Sequence, residues 1–336
     1  MSAALIRPHK ATDNDGLYPT RPARDLGHIA ALIELCFGQW MDASGQAALA
    51  EMRTLSELGP LLWLISLFDR EGEGLGMGYV WRVGGKVVGN ASLYAGVNHP
   101  DMGKGWLVAN VAVHPDYRRQ GIARALMQAV LDRARQNNGR WVALQVEVDN
   151  LGAQQLYDSL GFTRYETLMQ WENTAFYQQA DTPSPIWRSA LRQHSQIAQE
   201  MDLIYHRARV GAMAWTQPID RTQIESTFWE EALMFLGGHS HEHYVLPDPA
   251  APQHLLGAAW LELAGWRQAR LTLFIDPALE DRRGRQALLL YFLSHPRLQG
   301  WSIRVEAMAD DGGINDILRA YDFSPRRNLI QMRKEL

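Results

Sequence analysis

The stretch Val111-Ala112-Val113-His114-Pro115-Asp116-Tyr117-Arg118-Arg119-Gln120-Gly121-Ile122-Ala123 ends an apolar run in a tight turn and opens a helix on small residues. Successive backbone N–H groups at such a helix start can point at one anion, helped by the helix dipole. Gly121 and Ala123 carry little or no side chain, so a pyrophosphate can come close to the backbone, and Arg118 and Arg119 add positive charge beside it. Further on, Asn150-Leu151-Gly152-Ala153-Gln154-Gln155-Leu156-Tyr157-Asp158-Ser159-Leu160-Gly161-Phe162 follows a strand-like run and places a phenol, Tyr157, on a short helix.

The first stretch resembles the acyl-CoA signature of the GNAT superfamily of N-acetyltransferases: Arg or Gln, two residues, Gly, one residue, then Gly or Ala, here Arg118, Gly121 and Ala123. The second resembles that superfamily's later motif of Asn, Ala, Leu-Tyr and Gly-Phe. The resemblance covers about residues 80–165 and implies acyl transfer from acetyl-CoA, as co-substrate, to a primary amine, with no metal. Backbone groups of Val111 and Val113 would then bind the pantetheine arm, the Val113 amide polarising the thioester carbonyl. Arg118, Arg119, Gln120, Gly121, Ile122 and Ala123 would hold the pyrophosphate, and Asn150 would touch the CoA arm. Tyr157 would protonate the departing thiolate: a thiol of pKa near ~8.5 leaves as an anion that a phenol near ~10 can serve.

The base is less well marked. Members acting on peptide amino termini often carry Glu where this chain has Gln145, and an amide is no proton acceptor. Glu147, two residues on and on the same strand face, is the replacement, acting directly or through water; His114 is the weaker candidate. Freeing a lysine-like amine at pH 7 costs roughly 4.6 kcal/mol and an α-amino group only about 1, so a weak base points to low-pKa amines.

These residues need a frame. Leu26, Ile29, Ala30, Ile33 and Phe37 recur at helical spacing over 24–37, and a second helix is expected over 44–58. Two strand-like runs flank Gly84-Gly85, a hairpin signal. A strand over 106–113, a helix over 121–136 ended by Asn137-Asn138-Gly139, a strand over 141–149, a helix over 151–159 and a strand over 163–172 follow. Helix after strand, twice, implies parallel neighbours and a sheet covered on both faces.

The polar segment 173–185 reads as a linker between a GNAT acetyltransferase domain (1–172) and a second domain (186–336). Ile275-Asp276-Pro277 with Gly284 echoes Val113-His114-Pro115 with Gly121, and Arg319-Ala320-Tyr321-Asp322-Phe323 echoes Asp158 to Phe162, at offsets of 161–163 residues. The expected fold is therefore α/β (α+β), two GNAT-like domains in tandem, each a mixed twisted sheet flanked by helices. The second copy is degenerate: Asp281, Gln286 and Leu318 stand where Arg118, Ala123 and Tyr157 stand in the first, while Glu306 matches Gln145.

Net charge is −4 over 336 residues with acids and bases interspersed, which excludes the basic stripe of a nucleic-acid binder. No apolar run reaches the length of a membrane span and no secretory leader is visible. The single cysteine, Cys36, suits a reducing cytoplasm and reads as a packed thiol. His239, His241 and His243 lack a fourth ligand and are not expected to hold metal. Alternating Gly72, Gly74, Gly76 and Gly78 read as a loop, and Trp40, Trp63 and Phe68 as core. The acceptor is expected to be a small-molecule amine. The rival readings are acetylation of protein amino termini and a non-catalytic acyl-CoA-binding regulator.

Overall fold

The computed structural model describes residues 15–41, 46, 49–50, 52–54, 56, 77–99, 102–176, 187–188, 194–204, 240–264, 267–276, 278–279, 289, 291–293 and 298–336. Most of the expected 44–58 helix, Trp63, Phe68, Gly72 to Gly76, His239, Gly284, Asp281 and Gln286 lie outside these residues. Two compact units emerge, one of residues 1–144 with Lys334–Leu336, the other of Gln145–Arg333.

In the first unit the strands are β1 (Gly16–Pro19), β2 (Met77–Val83), β3 (Lys86–His99), β4 (Gly103–Val113) and the start of β5 (Trp141–Glu147), in that spatial order. Neighbours are antiparallel except β4 and β5, which run parallel. Period-two alternation along β2 assigns the helices to faces. Val80 packs with Ile29, Ala30 and Ile33 of α1 (Pro22–Phe37). Trp81 points the other way, toward Gly89 and α2 (Ile122–Gln136), where a Cβ on Gly89 would meet Ile122 at 2.9 Å and Leu126 at 3.0 Å. Gly89 thus lets α2 lie directly on β3. Buried Arg82, on the α1 face, donates to buried Asp25 at 2.6 Å, joining helix to sheet by a desolvated ion pair.

In the second unit the order is β12 (Ser324–Glu335), β6 (Thr163–Phe176), β11 (Trp301–Met308), β10 (Gln268–Ile275), β9 (Leu255–Ala264), β8 (Ser240–Pro247) and β7 (Trp187–Arg188). Among the described strands of this order, β10 and β11 pair in parallel and the other neighbours antiparallel. One face carries α4 (His194–Asp202) over Val245, Trp260 and Phe274; the other carries α5 (Gly312–Ala320) over Trp171, Leu271 and Val305. The unit also contains α3 (Leu151–Ser159).

The compact units do not follow the expected boundary. β6 was assigned by sequence to the first domain, yet it is hydrogen-bonded on one side to β11 and on the other to β12. It also runs to Phe176, into the expected linker. At the centre of the β6–β12 ladder Leu168 faces Leu329, its own counterpart at the 161-residue offset. Two copies of one strand pair antiparallel about their midpoints, so the duplication read from sequence is built into the hydrogen bonding. Gln154 Nε2 donates to the carbonyls of Glu147 and Val148, and Asn315 Nδ2 to those of Met308 and Ala309, each at the same offset.

Trp141 packs across β4 where Gly105 leaves room, its Nε1 donating to the Gly103 carbonyl at 3.0 Å. A Cβ on Gly105 would sit 1.9 Å from the buried indole. Gly105→Ala should destabilise the protein by about 3 kcal/mol, read as a lower urea midpoint with little change of slope.

Candidate active site

Parallel pairing of β4 with β5 covers only Gly105–Val108 against Trp141–Leu144, and β4 then continues to Val113 without it. On its other edge β4 stays bonded to β3, where the His114 N–H donates to the Val88 carbonyl at 2.8 Å. Strand alternation therefore turns the backbone of Val113 away from β3, on the side where pairing has ended. A bulge helps to set this geometry. Between the register positions Asn90–Ala112 and Ser92–Ala109, β4 spends one residue more than β3, and Asn110 adopts φ 54°. The buried Asn90 amide donates to the Asn110 carbonyl at 2.9 Å and holds the bulge in place.

Beyond Val113 a short turn, Pro115–Tyr117, is capped by His114, whose Nδ1 accepts the Asp116 N–H at 3.3 Å; the ring packs edge-on against Tyr117. His114 is thus used as a turn residue. Arg119 then takes φ 64° and Gly121 φ 81°, and α2 starts at Ile122 with no side chain capping it. Left-handed residues placed this way turn successive N–H groups into a concavity that suits an anion, and the uncapped helix start adds its own free donors. A Cβ at Gly121 would meet nothing within 4 Å; its need for glycine is conformational, and the space over it is open. The Arg118 guanidinium folds back, Nε donating to the Val113 carbonyl at 3.1 Å, while the half-buried Cys36 thiol lies 3.5 Å from the same oxygen. Val111, Val113 and Arg118 to Ala123 are therefore neighbours within the first unit.

The other expected residues lie in the second unit. Asn150 caps α3, its Oδ1 accepting the Ala153 N–H at 3.1 Å. Glu147 pairs with Arg327, whose Nε donates to Oε1 at 2.5 Å; nothing in the sequence around Glu147 signals that partner from β12. Tyr157 is buried against Phe162, ring centroids 5.9 Å apart, and its hydroxyl makes no hydrogen bond to another described residue. Burial pushes this phenol well above its usual range. Glu306, the carboxylate retained by the second copy, accepts from Gln170 at 2.8 Å and Arg270 at 3.1 Å. Leu318, at the Tyr157 position, is core. His243 is buried on Trp260, 3.4 Å from Glu200.

A model of the acetyltransferase (GNAT) family matches residues 26–162. The N-alpha-acetyltransferase RimI of Mycobacterium tuberculosis is 36% identical over 120 residues, 34% of this chain and 70% of that protein. The chain belongs to the GNAT acetyltransferase family. N-alpha-acetyltransferase 30 of Schizosaccharomyces pombe is 41% identical over 64 residues, 19% of this chain; the match spans 43% of that relative, under half its length. A tandem GNAT protein from the clavulanic acid biosynthesis pathway shares the fold over 95% of this chain and 98% of its own, with a TM-score of 0.58 at 15% identity. The tandem GNAT plan is therefore the architecture of the whole chain. Among the described residues no helix is long and apolar enough to cross a membrane.

The raised phenol has a measurable consequence. Above pH ~10 the unfolded chain sheds the Tyr157 proton while the folded chain keeps it, so stability present below that pH drains as pH rises. Tyr165 is raised in the same direction, by burial first and the Glu166 charge second. Each group should remove about 1 kcal/mol between pH 10 and 11, and Tyr157→Phe should abolish about half of the loss in urea melts.

Proposed function

We propose that this GNAT protein transfers an acetyl group from acetyl-CoA to a primary amine. The observation that carries the reading is the uncapped start of α2 with left-handed Arg119 and Gly121, reached from the unpaired end of β4. Arg118, Arg119, Gln120, Gly121, Ile122 and Ala123 receive the pyrophosphate, and the backbone of Val111 and Val113 receives the pantetheine arm. Arg118, held now on the Val113 carbonyl, is free to swing, since that bond is made in water-exposed surroundings.

The amine nitrogen attacks the thioester carbonyl, the new C–N bond forms, and the tetrahedral intermediate collapses with loss of the C–S bond. Tyr157 faces the thiolate as acid. Moving its proton outright onto a thiol of pKa near ~8.5 is uphill by about 2 kcal/mol or more, and burial adds to that. The phenol therefore acts first as a hydrogen-bond donor to the departing sulfur, the proton being completed and restored from solvent. Glu147 is the proposed acceptor of the amine proton through Oε2, because Oε1 is taken by Arg327. Asn150 contacts the CoA arm through its amide nitrogen, its oxygen being committed to the helix cap. No metal takes part. Residues 1–172 are the proposed catalytic domain and 186–336 a degenerate copy joined by 173–185. The lone cysteine and the co-substrate fit a cytoplasmic protein.

A small-molecule amine of low pKa is the first acceptor class. The names of both curated relatives, N-alpha-acetyltransferases, favour a second, the amino terminus of a protein.

CoA release from acetyl-CoA, measured over a panel of small amines and of peptides with free amino termini, tests both. Turnover with one class, falling at least tenfold in Tyr157→Phe with the acetyl-CoA Kd unchanged, is expected. Saturable acetyl-CoA binding without turnover on any amine would replace this reading with the non-catalytic binder. Gly121→Val should weaken acetyl-CoA binding at least tenfold, because a β-branched residue resists φ 81°. Glu147→Gln should lower kcat at least tenfold with acetyl-CoA affinity unchanged; an unaltered kcat would remove Glu147 from the mechanism.

A further inference from the structure

The first unit holds a cavity of about 330 Å³ at the start of α1, lined by Tyr18, Arg21, Arg24, Arg82 and Gly85. It is not the acyl-CoA turn. Cys36, beside the Val113 carbonyl, lies on the last turn of α1, whereas Asp25 lies on its first, about 16 Å away along the helix axis.

Three arginines line this one cavity, and among the described residues only one is paired with an acid. Arg82 is paired with Asp25 Oδ1 and lies over the Tyr18 ring at 5.1 Å. The other Asp25 oxygen accepts the Arg21 backbone N–H at 2.8 Å, so both oxygens of that carboxylate are already engaged and its single charge is matched by Arg82. Asp15, the acid at the neighbouring hairpin, accepts the Gly84 N–H at 2.7 Å. The side chains of Arg21 and Arg24 are exposed and in no ion pair among the described residues. Converging like charges cost energy, and the start of α1, which has Pro22 at its first position and no side-chain cap, adds a partial positive charge. A concave wall with two surplus guanidinium groups calls for an anion from outside.

The chemistry of the anion follows from the count. A carboxylate is satisfied by one guanidinium fork, whereas a phosphate brings close to two charges and enough acceptor oxygens for two. The volume falls at the small end of ligand pockets, suited to a phosphate or a compact phosphate ester.

We infer that the cavity of Tyr18, Arg21, Arg24, Arg82 and Gly85 binds a phosphate group, free or as a small monoester, at a site separate from the turn at Arg118–Ala123. The inference stands apart from the proposed acetyl transfer. Isothermal titration of the chain with inorganic phosphate and with glycerol phosphate, run on the wild type and on Gly121→Val so that any binding at the α2 turn is told apart, tests it. One saturable site is expected, weakened at least tenfold in the Arg21→Ala/Arg24→Ala double variant. Both side chains are exposed, so the variant should melt as the wild type does, which separates lost binding from lost folding. Tighter binding of glycerol phosphate would assign the site to an ester, and tighter binding of inorganic phosphate to the free ion. No saturable binding of either probe, or binding that the double variant leaves unchanged, overturns the inference.

Discussion

The proposed acetyl transfer depends on two parallel strands that stop pairing. β4 and β5 share four register positions, Gly105–Val108 with Trp141–Leu144, and then part. Buried backbone groups that lose a ladder must find other partners, so a strand end freed inside a sheet is either a defect or a binding surface. Here it is prepared from several sides. Trp141 over Gly105 locks the paired portion. The Asn110 bulge re-aims the unpaired portion, and Gly89 seats α2 so that its uncapped start closes the turn after Val113. Each of these groups fixes where the backbone beyond Val108 points.

The second copy keeps the same skeleton and discards the chemistry. β10 and β11 also pair in parallel over four positions only, Gln268–Leu271 with Ser302–Val305. Asp311 caps α5 as Asn150 caps α3, and Asn315 reproduces the two carbonyl contacts of Gln154. The Phe323 N–H reaches the Leu318 carbonyl as the Phe162 N–H reaches that of Tyr157. What survives is what holds a strand to the helix after it. What changes are two side chains: the buried phenol gives way to a core leucine, and Glu306, at the Gln145 position, is engaged by Arg270 and Gln170. His243 stands at the Arg82 position, 161 residues on, and lies beside Glu200, to which the indole of Trp260 donates at 2.5 Å.

Local features were legible in the sequence because their causes are local. Helical spacing located α1, α2 and α3; Gly84-Gly85 located the hairpin; Asn137 to Gly139 ended α2 where they should. The turn between Val113 and α2 was legible because glycine at φ 81° leaves a compositional mark. The placement of β6 between β11 and β12 was not, since β6 is bounded by ordinary residues and its neighbours are chosen by pairing across more than a hundred residues. Arg327 reached Glu147 by the same long-range route. The bulge left one readable trace, an asparagine in the otherwise apolar run 106–113, a residue depleted from strands and tolerant of left-handed backbone.

Under the proposed reaction, burial of Tyr157 and a catalytic role need not conflict. Burial of its ring desolvates the phenol and raises its pKa. The same desolvation that raises its pKa keeps it neutral, and so a donor, at every pH at which an amine can attack. In the proposed reaction the departing sulfur would meet a neutral O–H, and a hydrogen bond in partly desolvated surroundings is worth more than it would be in solvent. A phenol kept this way is therefore better suited to stabilising the sulfur as charge develops than to giving its proton away. The matching position of the second copy holds a core leucine, which has no proton to donate.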